Sequence, residues 1–139
     1  MKTKLTIITP DGIYLEKDVD MVNIKTMNGH LGLLHGHMPI VTKVEVSSLE
    51  VVDDAKKQYF ATSDGFLKAD QNSVILLLSQ IESVDDIDEK RARQAIEHAR
   101  QTIEESDDPV QIEKAKLTIL KNENRLNLLA KANLMNAKR

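Results

Sequence analysis

Three histidines within eight positions, His30, His35 and His37, form the densest group of side chains able to ligate a metal or to change charge near neutral pH. No carboxylate lies between them, and the glycines at 32 and 36 point to a shaped loop rather than a closed coordination shell. They read as architectural, and no metal is expected. The chain also lacks a Gly-x-x-x-x-Gly-Lys-Ser/Thr string, any ordering of Ser, His and Asp that pairs a nucleophile with a base, and any cysteine. No residue reads as catalytic. Two charged groupings remain. Asp88 and Arg91, three apart, suit a helix cap followed by a solvated charge. Lys114, Lys116, Lys121, Arg125 and Lys131 read either as a basic contact surface or as a solvated face that aids solubility.

Charge is unevenly spread. Residues 1–84 hold 8 bases and 11 acids, residues 85–113 hold 4 bases and 10 acids, and residues 114–139 hold 7 bases against Glu123 alone. The formal net charge of −3 thus hides a tail with a surplus of six positive charges, enough to steer association with an acidic surface and to make it salt-sensitive. Nucleic acid fits that surface poorly, because no arginine precedes Arg91 and few rings are available to stack on bases. The longest apolar run, 74–78, has five residues, against the roughly 20 needed to cross a bilayer. Lys2 and Lys4 lead into a strand-like run rather than a secretory leader, so a cytoplasmic location is expected, with membrane association only through a partner.

The elements that must position these groups divide sharply. All five glycines and all four aromatic rings lie before residue 67. Glycine serves tight turns and is penalised inside helices, so a turn-rich β domain followed by a helical one is expected, over 1–84 and 85–139. Segments 5–9, 19–27, 44–46, 49–52, 58–61, 66–69 and 74–79 are β-branched or alternately apolar. Asp11-Gly12, Asn28-Gly29 and Asp64-Gly65 should supply positive φ for hairpin turns, and Asp53-Asp54 and Gln71-Asn72 mark two further connections. Short strands at regular spacing indicate an antiparallel sandwich or flattened barrel, and two packed sheets are expected.

After Ser83 the apolar period lengthens to about 3.6. Ile87, Ala92, Ala95, Ile96, Ala99 and Ile103 form a thin stripe over a helix at about 87–105, with Asp86 and Glu89 resembling a capping pair. Asp108 and Pro109 start a second helix, about 109–135. Its apolar residues make one stripe of Ile112, Ala115, Ile119, Leu126, Leu129 and Ala130, while Leu117, Leu120, Leu128, Leu134 and Met135 widen or oppose it. One partner helix cannot cover all of these. Four asparagines in that stretch weaken the isolated helix, and a hairpin with an alanine seam buries little, so an element that opens and closes is expected.

Residues 29–42 read Gly-His-Leu-Gly-Leu-Leu-His-Gly-His-Met-Pro-Ile-Val-Thr, which resembles the Gly-x-Leu-Gly and Gly-His-x-Pro-x-x-Thr signature of the epsilon subunits of bacterial F-type ATP synthases. Thr9-Pro10-Asp11-Gly12, Ser63-Asp64-Gly65-Phe66-Leu67 and Ile87-Asp88-Glu89-Lys90-Arg91-Ala92 follow the same family in the same order, so the resemblance spans nearly the whole chain. It implies an amino-terminal β-sandwich of about ten strands and a carboxyl-terminal antiparallel helical hairpin.

The resemblance also implies a function. The chain would be a non-catalytic central-stalk subunit that joins the gamma subunit to the c-ring, at the cytoplasmic face of the bacterial membrane, and restrains ATP hydrolysis through its mobile helices. Gly29, His30, Leu31, Gly32, Gly36, His37 and Pro39 would lie at the rotor-ring contact. Ile87 to Ala92 is similar to the Ile/Leu-Asp-x-x-Arg-Ala motif with which some epsilon subunits bind ATP without hydrolysing it. In that reading Arg91 neutralises phosphate oxygens, Asp88 accepts from a ribose or base donor, and Ile87 and Ala92 pack on adenine, with Glu82 and Arg125 closing the site. ATP would act as a regulatory ligand, with no cofactor required. The basic residues 114, 116, 121, 125 and 131 would face the beta subunit, beside alpha, in an extended inhibitory state. The alternative is a free-standing ATP-sensing module without rotary partners.

Overall fold

A computed structural model describes residues 1–137, and side chains through residue 134. Met135, Lys138 and Arg139, which enter the apolar and basic tallies above, lie outside the described residues or side chains. The chain separates into two compact units, residues 1–83 and the part beginning at Val84.

The first unit holds nine strands: β1 (Thr3–Thr9), β2 (Gly12–Val19), β3 (Met21–Thr26), β4 (Gly29–Leu34), β5 (Ile40–Asp53), β6 (Lys56–Thr62), β7 (Gly65–Ala69), β8 (Ser73–Leu78) and β9 (Ile81–Ser83). They are hydrogen-bonded in the order β2-β1-β8-β7-β5-β3-β4, with β6 paired to β5 and β9 to β6. All pairs run antiparallel except β1 with β8. The 14-residue β5 belongs to both halves of the sandwich: its first part pairs with β7, its second with β6, and β3 bonds to both parts across a register shift after Ile24. The core is filled by the inward positions of each half, with Leu5, Ile7, Leu67 and Leu76 from one and Ile24 and Leu49 from the other all at 2% exposure or less. Alternation is the cause, since Lys4 and Thr6 flank Leu5 and point the opposite way.

Segments 44–46 and 49–52 are one strand, because Ser47 and Ser48 pair with Thr62 and Ala61 and continue the ladder. β2, β4 and β9 are strands that the pattern did not mark. β2 pairs only with β1 and is mostly exposed, so its side chains carry little alternation. Gly12 and Gly29 take φ of 116° and 108°, as the turns require. Gly65 does not have positive φ; it is glycine for lack of room, since a Cβ there would overlap the Leu77 carbonyl oxygen. Asp54 and Ala55 carry the left-handed turn between β5 and β6, with φ of 50° and 63°.

The second unit opens with a 3₁₀ turn, Val84–Asp86, followed by α1 (Glu89–Glu105) and α2 (Pro109–Ala137), which pack against each other. The cap of α1 is Asp88, not Asp86: its carboxylate accepts from the Arg91 N–H at 3.1 Å. Asp108 caps α2 in the same way, accepting from Val110 N–H at 3.0 Å. Along α1 the buried positions are Ala92, Ile96 and Ala99. On α2 the stripe at 3-4 spacing runs Ile112, Ala115, Ile119, Asn122, Leu126 and Leu129, each buried or half-buried. Ala130, expected on that stripe, is exposed, whereas Leu128, on the side away from the stripe, is buried. Leu117 and Leu120, on the side away from the stripe, are 42% and 51% exposed.

Candidate functional site

Residues 29–34 of the histidine-bearing segment are strand β4, and only 35–39 form a loop. The β3–β4 turn is tied by Thr26, whose hydroxyl donates to the Gly29 carbonyl at 2.9 Å and accepts from Asn28 N–H at 3.1 Å. His30 lies exposed opposite Lys25, and Leu31, half-buried, packs on the core. At the far end His37 N–H donates to the Leu34 carbonyl at 3.1 Å, and Gly36, at φ 88°, donates to Gln71 at 2.6 Å. Pro39 then leads into β5. This turn is pinned by its backbone. The His37 Nδ1 is buried without a hydrogen-bond partner among the described residues. Around the segment Met27, Leu34 and Met38 stand 62%, 52% and 80% exposed.

A second surface was missed by the pattern. Strand register aligns Lys43, Phe66, Leu77, Ile8 and Ile13 in one row across β5, β7, β8, β1 and β2. Phe66, Leu77 and Ile13 are 52%, 48% and 62% exposed, so four adjacent apolar side chains lie on the outer face of the sheet, with Val41 nearby. The signal was present in the sequence. Ile7-Ile8 and Leu76-Leu77-Leu78 are apolar on both faces of strands that otherwise alternate.

At the start of the hairpin, Ile87 and the cap Asp88 precede α1, and Arg91 and Ala92 lie in its first turn. Ile87 and Ala92 are buried, Arg91 is exposed, and the Asp88 carboxylate serves as the helix cap. Glu82 lies in the other unit, on β9 opposite Ala61, and Arg125 lies on α2, donating to the Asn122 side-chain oxygen at 3.1 Å. The five basic residues do not form one face. At about 3.6 residues per turn, Lys114, Lys121 and Arg125 align on one side of α2, while Lys116, which pairs with Glu113, and Lys131 point elsewhere.

Among the described residues, the one acidic cluster that brings three carboxylates within 4.8 Å is Asp20, Asp53 and Asp54. It is already occupied by basic partners. Lys2 bridges Asp53 and Asp54, Lys17 approaches Asp53 at 3.5 Å, and Asp20 accepts from Asp54 N–H at 2.7 Å. The Lys2 hydrogen bond holds the Asp53 carboxyl below its usual range, and the same contact raises the Lys2 ammonium.

Comparison with known proteins bears on both units. The beta-sandwich domain of the ATP synthase Delta/Epsilon chain matches residues 2–84, and the long alpha-helix domain of the same chain matches residues 85–130. The ATP synthase epsilon chain of Bacillus cytotoxicus is 33% identical over 129 residues, covering 92% of this chain and 97% of that one. The epsilon chain of Staphylococcus epidermidis is also 33% identical, over 124 residues, with 88% and 92% covered. Among solved structures, a chain of the Euglena gracilis mitochondrial ATP synthase (OSCP/F1/c-ring) has the same fold, with TM-score 0.79 and 24% identity over 96% of this chain and 81% of that chain. One from the Tetrahymena thermophila central stalk and c-ring superposes at 0.60, with 18% identity and 95% and 96% covered. With both domain models matched in series and relatives a third identical over most of their length, the chain belongs to the ATP synthase Delta/Epsilon chain family.

Proposed function

We propose that this chain is a central-stalk subunit that joins gamma to the c-ring through its sandwich and restrains ATP hydrolysis through its helical hairpin. The observation that carries the reading is the exposed row of Ile13, Ile8, Leu77 and Phe66. A free-standing sensor would leave that row in water, whereas a subunit held on a shaft covers it. The row is the gamma-docking face, and the backbone-pinned segment from Gly29 to Pro39 is the rotor-ring contact. Among the described residues no helix is long and apolar enough to cross a membrane; in this reading the chain reaches the membrane through these partners.

The hairpin is the brake. Its α1 seam is thin, and Leu117 and Leu120 opposite the seam of α2 give the second helix a surface for another partner. Lys114, Lys121 and Arg125 supply charge for an acidic loop of the beta subunit. ATP bound near Asp88 and Arg91 would favour the closed hairpin by RT ln(1 + [ATP]/Kd), about 2.7 kcal/mol at a hundredfold excess over Kd. The deciding experiment removes residues 85–139 and reconstitutes the enzyme. Assembly and proton coupling are expected to persist while hydrolysis rises; failure to assemble would refute this division of labour.

A further inference from the structure

We infer that Asn122 is built into the α1–α2 seam to hold the closed hairpin near its opening point, so that modest binding energies can move it. This deepens the proposed brake and rests on that reading for its effect in the assembled motor. Asn122 occupies the middle of the stripe along which α2 packs on α1, with Ala115 and Ile119 before it and Leu126 and Leu129 after. The other positions of that stripe from Ile112 to Leu129 are apolar. Asn122 is only 8% exposed.

Its hydrogen bonds explain why an amide is tolerated there and what it does. The Nδ2 group donates to the Thr118 carbonyl at 2.8 Å, and Oδ1 accepts from Arg125 Nη1 at 3.1 Å. Both partners belong to α2. Among the described residues Asn122 makes no direct hydrogen bond to α1, so both of the amide's own bonds lie within α2. A leucine at this place would leave water on closure and favour the closed state. The amide instead gives up hydration on closure and gains no cross-helix bond in return. A buried asparagine in a helix–helix seam lowers stability in this way. The facing stripe cannot compensate, since two of the three buried positions on α1 are alanine. Closure is thereby left shallow.

The test uses the full-length chain and amide hydrogen exchange across 92–129, without nucleotide, on Asn122→Leu, Asn122→Ala and Asn127→Ala. The last places the same gain in helix propensity at an exposed position of α2. At least one Asn122 variant is expected to slow seam exchange by about tenfold or more, corresponding to about 1.4 kcal/mol. Asn127→Ala is expected to change it by less than about threefold. The alanine variant keeps the test alive if leucine is too large for the site. Exchange slowed by neither Asn122 variant, or slowed as much by Asn127→Ala, overturns the inference. In the reconstituted enzyme the slowed variant is expected to inhibit hydrolysis less. Slowed exchange with inhibition unchanged leaves the seam inference standing and removes the brake, whereas lost inhibition with exchange unchanged removes the seam inference.

Discussion

A methyl group on Gly65 would overlap the Leu77 carbonyl oxygen on the neighbouring strand, a backbone atom with no room to retreat while Gly65 pairs with Leu78 and Val44. Gly65→Ala is therefore an overpacking change, expected to cost about 2 kcal/mol and to lower Tm by roughly 8–16 °C. A Tm within about 3 °C of the parent would mean that β7 shifts to admit the methyl. Asp70 makes a prediction of a different kind. Its carboxylate accepts from Asn72 N–H, from the Ser73 hydroxyl and from Ser73 N–H, closing the β7–β8 turn. The Asn72 bond is the largest cause holding this carboxyl below its ordinary value of 3.8. A lowered folded value stabilises the fold fully above the unfolded value, and that stabilisation drains away as pH falls through the folded one. The Tm gap between the parent and Asp70→Asn is thus expected to be open at pH 6 and to narrow only below pH 3.8. A gap that stays constant down to about pH 2 would assign the stabilisation to something other than this titration.

Among the elements, α1 is where the sequence spoke most clearly and yet misplaced a detail. The change of apolar period near residue 84 gave the switch from sheet to helix, because 3.6-residue periodicity over a dozen or more positions is hard to mimic by chance. The Asp86–Glu89 pair is not the cap, whereas Asp88, three residues before Arg91, is: Asp85, Asp86 and Asp88 are all plausible caps, and only the backbone angles at Asp88 (φ −93°, ψ 106°) select one. β4 was hidden for another reason, since two glycines and a histidine in six residues look like a loop, and only pairing with β3 makes them a strand. Asn122 was read as a weak helix former, because its burial depends on where α1 lies. These placements shape the nucleotide test. Replacing Asp88 would remove the cap as well as any ligand contact, costing about 1 kcal/mol of helix stability. Arg91→Ala is cleaner, since the Arg91 side chain is exposed and only its backbone N–H meets the cap. Calorimetric ATP binding is expected to weaken at least tenfold in Arg91→Ala, the size of one lost charge-assisted contact. An unchanged isotherm removes this helix start from the mechanism.

At the scale of the whole molecule, the two units ask for different partners, and the outer face of the sandwich makes the sharper demand. The row from Ile13 through Ile8 and Leu77 to Phe66 arises because β1 and β8 carry apolar residues on both faces. No property of the isolated fold requires this, since the outward positions of neighbouring rows, such as Lys4 and Lys68, are charged and equally compatible with the strands. Phe66 sits inside the row, between Lys43 and Leu77, where a large ring can anchor a partner. Phe66→Asp keeps the strand and its register while placing a charge at the end of the apolar row, beside Lys43. The isolated chain is expected to keep its Tm within about 4 °C, because the side chain contributes little to the core. Its affinity for a gamma-containing complex is expected to fall by about thirtyfold or more, the loss of roughly 2 kcal/mol that marks a large aromatic anchor. Co-purification of the folded variant with gamma at the parent's affinity would show that the row is not where the shaft is held, and the sandwich would then need another face for that contact.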